Sequence, residues 1–254
     1  MNTENITCEC GSVFQWTPTK EEADFAHIFR PGKCPSCYDR IEAERDAEEA
    51  IMAAERAKAR EESIVRRKAE LVAKVADATP ALFRQTAINH PKFNAAAWVK
   101  IKDHKLTADF PFLGLVGMTG RCKSRMAFLY AATLLERIAG EADTSFAFVA
   151  SYEIGDAVAR QFGSDFQEKD KARRFLDRLR TVDVLLVDDL GKGRLTPAVA
   201  SEIFALIDHR HAHLGRTIWT SNSSPEAIAA GMPEDMAGPF AGRILNSSVI
   251  FTLK

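Results

Sequence analysis

Residues 117–124 decide the fold of this chain, and they read Gly117, Met118, Thr119, Gly120, Arg121, Cys122, Lys123 and Ser124. The apolar run 112–116 precedes this loop, and a helical pattern follows it over 126–138. A strand that enters a helix through a glycine turn points backbone N–H groups and the positive end of the helix dipole at one spot. All eight loop residues are therefore predicted to cradle a polyphosphate, with Lys123 as an added cation and Ser124 as a ligand of Mg²⁺.

Cys122 departs from the pattern G-x-x-x-x-G-K-[ST], which has glycine directly before the lysine. Glycine at that position lets the backbone approach the phosphates without a Cβ in the way. We expect the small cysteine to be tolerated there. A redox-sensitive thiol beside the nucleotide is the alternative.

Length and charge set limits on the class of protein. The 254 residues leave room for one sizeable core and an appendage, and the net charge of -1 argues against a wholly basic nucleic-acid coat protein. No apolar run reaches the roughly 18 to 20 residues of a membrane span. Residues 1–15 also lack the pattern of a secretory signal. The expected compartment is the cytoplasm, with no membrane partner.

Four of the five cysteines lie close to the N-terminus: Cys8, Cys10, Cys34 and Cys37. A C-x-C pair followed by a C-x-x-C pair is typical of a tetrahedral zinc site, with His27 as a reserve ligand. Two disulfides are the alternative, which a reducing compartment disfavours. Residues 1–38 are thus predicted to form a zinc-ribbon-like module in which the metal contributes folding energy rather than chemistry.

Residues 39–78 are rich in Ala, Glu, Arg and Lys and contain no Pro or Gly. This composition predicts a long charged helix that acts as a linker. Its apolar positions are too sparse for a sustained coiled-coil seam. We favour a solvated connecting helix over one that grips a partner, although the same helix can do both.

Four further apolar, β-prone runs alternate with helical patterns in the rest of the chain: 145–150, 182–187, 217–220 and 248–251. Such alternation predicts an α/β domain over 79–254 with a parallel sheet flanked by helices. Ligands of open parallel sheets bind at the carboxyl ends of the strands. The phosphate loop, Asp188, Asp189 and Asn222 all follow strands and are expected to meet there.

These polar residues have distinct expected roles in hydrolysis of a nucleoside triphosphate. Asp188, with Ser124, would hold Mg²⁺. Asp189 would orient the attacking water or accept its proton, and Asn222 would position that water beside the terminal phosphate. A turn or a helix cap is the alternative use of the two aspartates.

Over 79–254 the chain resembles DnaC-type helicase loaders, which are AAA+ ATPases related to IstB-type transposition ATPases. The resemblance lies in the phosphate loop and in the runs 82–84, 90–91, 185–191, 206–210 and 220–222. It implies that Lys123 and Ser124 are the Walker A pair, that Asp188 and Asp189 are the Walker B pair, and that Asn222 is the sensor 1 residue.

The same resemblance places Arg243 at the arginine finger, which acts on the ATP of a neighbouring subunit. It therefore implies a homo-oligomer whose ATP sites are shared between subunits. Arg210 is a second candidate for the finger. The chain also reaches Lys254 soon after its last predicted strand, so we expect no C-terminal helical lid.

The function that the resemblance implies is that of an ATP-hydrolysing loader, which helps to place a replicative helicase on single-stranded DNA. In such proteins the helicase contact is usually made by the N-terminal region. The alternatives are an IstB-like transposition helper ATPase and a nonhydrolysing, ATP-switched adaptor. Basic residues over 169–180 could follow a DNA backbone, but interleaved acids favour a solvated helix face.

Overall fold

The computed structural model describes residues 3–19, 30–84, 88, 90–138 and 144–254. The chain divides into two compact units, Met1–Ser63 and Ile64–Lys254, and the division falls inside a helix. The predicted domain limits at 38/39 and 78/79 stay a prediction. Among the helices of these ranges, none combines the length and the apolarity that crossing a membrane requires.

The first unit contains an antiparallel hairpin of strands β1 (Glu4–Thr7) and β2 (Val13–Trp16), in which Ile6 pairs with Phe14. Helix α1 (Pro35–Ala78) begins in this unit and is 44 residues long. Proline at the start of a helix costs little, because its missing N–H would have no intrahelical partner there. The expected long charged helix is confirmed, and it starts within the second cysteine pair.

The second unit is a five-stranded parallel sheet flanked by helices. Its strands are β3 (Phe112–Gly117), β4 (Phe146–Ala150), β5 (Val184–Asp188), β6 (Arg216–Ser221) and β7 (Ser248–Leu253), in the order β4-β5-β6-β3-β7. All neighbouring pairs are parallel. The predicted α/β fold class is therefore confirmed.

Within the described residues, eight helices follow α1. They are α2 (Ala81–Arg84), α3 (Ala95–Asp103), α4 (Lys123–Ile138), α5 (Ser151–Gln161), α6 (Phe166–Thr181), α7 (Pro197–Ala212), α8 (Pro225–Ala229) and α9 (Glu234–Ser247). Several have N-caps that the sequence encodes directly. Asp165 accepts from the N–H of Gln167, and Thr196 accepts from the N–H of Val199, each satisfying an N–H that the helix leaves unpaired.

Successive residues of the central strands point to opposite faces of the sheet and enter two separate hydrophobic clusters. Leu185 and Val187 pack in one cluster, and Leu186 packs in the other. Burial on both faces explains why these strands read as continuous apolar runs rather than as alternating ones. Gly114 is required by packing, because a Cβ there would lie 2.4 Å from Cζ2 of Trp219.

The sheet order places the site. Strands β5, β6 and β3 are consecutive neighbours, so the Asp188, Ser221 and Gly117 ends lie side by side at one edge. The phosphate loop leaves β3 at this edge and leads directly into α4.

Candidate functional site

The phosphate loop turns through two left-handed residues before α4 begins. Gly120 has φ 82° and Cys122 has φ 58°. Gly117 is fixed by close approach, since a Cβ there would lie 2.3 Å from the carbonyl oxygen of Leu253. The loop thereby delivers the chain to the N-terminus of a 16-residue helix, whose first N–H groups lack intrahelical acceptors. This geometry suits an anion.

A cavity of about 300 Å³ opens at this point. The loop residues 119–125 form one wall, and Asp189, Lys192 and Asn222 form the opposite one. Leu82, Phe83 and His90 complete the lining. The phosphate loop, Asp189 and Asn222 thus share one cavity, as expected from the strand ends.

Lys123 is only 6% exposed and reaches across the cavity. Its Nζ donates to Oδ1 of Asn222 at 2.6 Å and to the carbonyl oxygen of Met118 at 3.0 Å. Burial lowers the pKa of the Lys123 ammonium, and the neighbouring carboxylates of Asp189 and Asp188 oppose that shift. The ammonium therefore sits preorganised where a phosphate would enter.

Asp188 links the loop to two strands. Its Oδ1 accepts hydrogen bonds from Oγ of Ser124 at 2.7 Å and from Oγ1 of Thr220 at 2.6 Å. A hydroxyl and a carboxylate held together are oxygen ligands of the kind that Mg²⁺ prefers. The donor set therefore fits the predicted magnesium position.

Asp189 has a left-handed backbone with φ 55°, which is uncommon for a residue with a side chain. Its N–H donates to Oγ1 of Thr220 at 2.9 Å, and its Oδ2 pairs with Nζ of Lys192 at 2.7 Å. Strain held in place by specific hydrogen bonds is common where a side chain must be aimed. Two further residues thus belong to the site: Thr220, which binds both aspartates, and Lys192.

Cys122 of the loop is buried, and its Sγ lies 3.2 Å from Nδ1 of His90. The same Nδ1 accepts the N–H of Lys92 at 3.2 Å. Burial raises the pKa of the Cys122 thiol, against the opposing charges of Arg125 and Lys92. A protonated thiol is a poor nucleophile, so the geometry favours tolerance over a reactive cysteine.

Arg243 lies on α9 and does not line the described cavity of its own chain. It forms an ion pair with Asp208, donates to the carbonyl oxygen of Pro239 at 3.2 Å and stacks 5.0 Å from the ring centroid of Phe204. Its predicted role as a finger for a neighbouring subunit stays a prediction.

Arg210, the second candidate, is completely buried. Its guanidinium donates to Oγ1 of Thr217 and to the carbonyl oxygens of Leu179, Arg180, Val182 and Arg216. Burial lowers its pKa to about 10. A side chain committed in this way cannot reach another subunit, so the finger role considered for Arg210 is wrong.

The four N-terminal cysteines form one cluster, and their Sγ atoms lie within 4.8 Å of one another. Cys8 and Cys37 are 3.7 Å apart, as are Cys10 and Cys34. A tetrahedral zinc with Zn–S bonds of about 2.3 Å has sulfur atoms about 3.8 Å apart, whereas a disulfide needs about 2.05 Å. The cluster is compatible with zinc, and the cysteines of the described residues are free thiols.

Two details favour metal binding at this cluster. Gly11 closes the first knuckle with φ 88°, and its N–H donates to the carbonyl oxygen of Cys8. Hydrogen bonds from Ser12 lower the pKa of Cys10 to about 6, which supplies a thiolate near neutral pH. The reserve ligand His27 lies outside the described residues.

Three of the six basic residues of α6 form ion pairs with acids. Lys171 pairs with Glu168, Arg174 with Asp170, and Arg180 with Asp177 and Glu202. Exposed pairs of this kind favour the solvated helix face that the sequence predicted.

No protein-family model and no curated protein matches the sequence. Among solved structures, the chain is similar to the DnaC helicase loader, at 20% identity over 69% of this chain and 100% of that one, with a TM-score of 0.49. It is also similar to DnaI, at 20% identity over 62% and 78%, with a TM-score of 0.47. A third is AMPPCP-bound DnaA from Aquifex aeolicus, at 14% identity over 62% and 44%, with a TM-score of 0.47.

The chain thus spans less than half of the DnaA structure that it matches. The sheet order and the loop followed by a helix define an α/β fold with a five-stranded parallel sheet.

Proposed function

We propose that this protein binds and hydrolyses ATP, and that it uses this cycle as a loader that places a replicative helicase on single-stranded DNA. The observation that carries the ATPase proposal is the convergence of Lys123, Ser124, Asp188, Asp189 and Asn222 at the adjoining ends of β3, β5 and β6.

Each side chain has a task in this proposal. The loop N–H groups and Lys123 bind the β- and γ-phosphates, and Lys123 exchanges its contact with Asn222 for phosphate oxygens. Ser124 and Asp188 would hold Mg²⁺, which neutralises phosphate charge when bound. Asp189 orients the attacking water, and Asn222 holds that water beside the terminal phosphate.

Assembly completes the site in this proposal. Arg243 of one subunit would stabilise the charge that builds on the phosphoryl group bound by the next subunit. Its partial exposure on α9 leaves it accessible for such a contact. A homo-oligomer with shared ATP sites follows.

Three exposed aromatic side chains support a role in binding single-stranded DNA. Tyr152 is 61% exposed, Phe162 76% and Phe166 81%, and all three lie on or between α5 and α6. Exposed aromatic rings can stack unpaired bases whatever their sequence. The hairpin with its cysteine cluster and the exposed helix α1 are the proposed contacts for the helicase.

The second candidate function is a nonhydrolysing, ATP-switched adaptor. It is favoured by the ion pair between Asp189 and Lys192, which engages the carboxylate that hydrolysis would need. Steady-state ATP turnover of the full chain, with and without single-stranded DNA, separates the two functions. Wild type should turn over ATP faster with DNA, and Asp189→Asn should bind ATP but hydrolyse it about 100-fold more slowly.

Two further variants serve as controls in that assay. Lys123→Ala should lose ATP binding, whereas Asp109→Asn, a matched change in the exposed segment before β3, should behave as wild type. If wild type binds ATP but is no faster than Asp189→Asn, the adaptor function replaces hydrolysis. The full chain incubated with purified replicative helicase or with a transposase then tests loading, and capture of the transposase alone contradicts it.

A further inference from the structure

Lys192 stands in the nucleotide cavity although it belongs to none of the nucleotide-binding motifs. It follows β5 in a turn between Gly191, with φ 82°, and Gly193, with φ 110°. The turn is closed by the N–H of Lys192, which donates to the carbonyl oxygen of Asp189 at 2.9 Å. This backbone hydrogen bond fixes the Cα of Lys192 close to Asp189.

At Gly191, the residue before Lys192, the turn requires glycine. A Cβ on Gly191 would lie 2.8 Å from the side chain of Ile228, and its backbone is left-handed, so only glycine fits. A Cβ on Gly193, in contrast, would meet nothing within 4 Å. The turn is therefore fixed against Ile228 on the Gly191 side of Lys192, and it has open space around Gly193.

We propose that Lys192 is a second phosphate-binding cation, which pairs with Asp189 when no nucleotide is present and moves to the terminal phosphate of a bound nucleoside triphosphate. The inference rests on the proposed function. Its geometric basis is that Nζ lies 2.7 Å from Oδ2 of Asp189 while the side chain lines the same cavity as Lys123 and the phosphate loop.

The charges in the cavity favour this exchange. Four cationic side chains line the cavity together with Asp189: Arg121, Lys123, Arg125 and Lys192. Both lysines feel the field of the carboxylates of Asp188 and Asp189. The ion pair of Lys192 is weak, because its side chain is 66% exposed to solvent. A terminal phosphate carries more charge than one carboxylate and can attract the ammonium along its flexible four-carbon stem.

The exchange has a consequence for catalysis. When Lys192 leaves, Oδ2 of Asp189 becomes free to accept a hydrogen bond from the attacking water. A nucleoside diphosphate lacks the terminal phosphate and leaves the ion pair in place. One side-chain movement thus couples recognition of the triphosphate to release of Asp189.

Titration calorimetry of the full chain with Mg²⁺ and either AMPPNP or ADP tests this assignment. Lys192→Ala should weaken AMPPNP binding about tenfold, the loss expected for one charge-assisted hydrogen bond, and should leave ADP binding within about twofold of wild type. Lys192→Arg should restore most of the AMPPNP affinity. Arg194→Ala, which removes a charge from an exposed neighbour, should change neither affinity.

The outcomes separate this inference from the proposed function. If wild type binds neither nucleotide, the proposed function fails and the inference fails with it. If wild type binds both but Lys192→Ala weakens both equally or neither, only the assignment of Lys192 is overturned. Faster turnover by Lys192→Ala at unchanged AMPPNP affinity would also overturn it, because Lys192 would then only restrain Asp189.

Discussion

Cys122 occupies a backbone conformation that is ordinarily given to glycine. At φ 58° a residue with a Cβ pays roughly 1–2 kcal/mol relative to the right-handed conformation. The contact with His90 offsets part of that cost by satisfying the thiol, which is otherwise buried. The size of the side chain then determines which other residues position 122 tolerates, because a larger or branched side chain would strain the phosphate loop.

We predict that Cys122→Gly keeps ATP affinity within about threefold of wild type, since glycine adopts this conformation without strain. Cys122→Val should lose about 2 kcal/mol of stability, because a β-branched side chain is a genuine outlier at positive φ. Thermal unfolding of the full chain and ATP titration measure the two effects. Equal stability of the glycine and valine variants would show that backbone strain does not govern this position.

Site residues that belong to a sequence motif could be predicted from the sequence. Site residues that reach the site only because two strands are neighbours in the sheet could not. Lys123 and Asp188 follow apolar runs, and each of these runs predicts a buried strand. Thr220 binds both aspartates only because β6 lies beside β5, and the sequence does not state that order. Arg210 ends a helix, as a cation often does, but tertiary packing buries it completely.

At the scale of elements, the strands were predictable because burial on both faces makes each of them a short apolar run. The start of α1 was harder to place. It begins at Pro35, inside the C-x-x-C pair, four residues before the predicted 39. The C-x-x-C spacing predicts a metal-binding knuckle that is separate from the helix. In the structure, the N–H of Cys37 donates to the carbonyl oxygen of Cys34, and this turn continues directly into the helix.

The cysteine cluster joins this helix start to the β1–β2 hairpin. Cys8, Cys34 and Cys37 are buried, and Phe14 packs against them, so the apolar cluster around them is very small. A hairpin of two four-residue strands is marginal by itself. A metal cross-link would therefore supply most of its stability.

We predict one equivalent of zinc per chain, measured by elemental analysis of the purified protein. Cys34→Ser should lose it, because three thiolates and a hydroxyl make a much weaker zinc site. Cys122→Ser is the matched control, since it removes the cysteine that lies outside the cluster, and it should retain the metal. Zinc that persists in Cys34→Ser, or that disappears equally from both variants, would contradict the assignment.

For the whole molecule, the proposed trans role of Arg243 implies that one copy of the chain is catalytically incomplete. Lys123 and Lys192 line the cavity, while Arg243 pairs with Asp208 on a neighbouring helix. Arg121 and Arg125 also line the cavity, on the phosphate-loop side, and the Arg125 guanidinium contacts the carbonyl oxygen of Leu82 and the ring of Phe83. Under the proposed function, the arginine that stabilises the charge on the phosphoryl group is Arg243 of another copy. An arginine supplied in trans is worth about 10³ to 10⁵ in rate, so turnover should depend on protein concentration.

We predict that Arg243→Ala binds ATP normally but hydrolyses it at least about 10³-fold more slowly. Lys123→Ala should also be inactive, for the opposite reason: it retains the finger and loses the nucleotide site. Mixing the two variants pairs an intact site with an intact finger at about a quarter of the interfaces in a random one-to-one head-to-tail assembly. ATP turnover of the mixture should then exceed the sum of its parts.

A mixture of Lys123→Ala with Asp189→Asn is the control for that complementation, because both variants keep the finger and both lack a working site. Its turnover should not exceed the sum of its parts at any ratio. If turnover recovers only in the mixture of Lys123→Ala with Arg243→Ala, then Arg243 of one subunit acts on the nucleotide bound by Lys123 of another. Exchange of nucleotide between subunits would not distinguish this mixture from the control. If Arg243→Ala alone turns over ATP as fast as wild type, catalysis is complete within one chain.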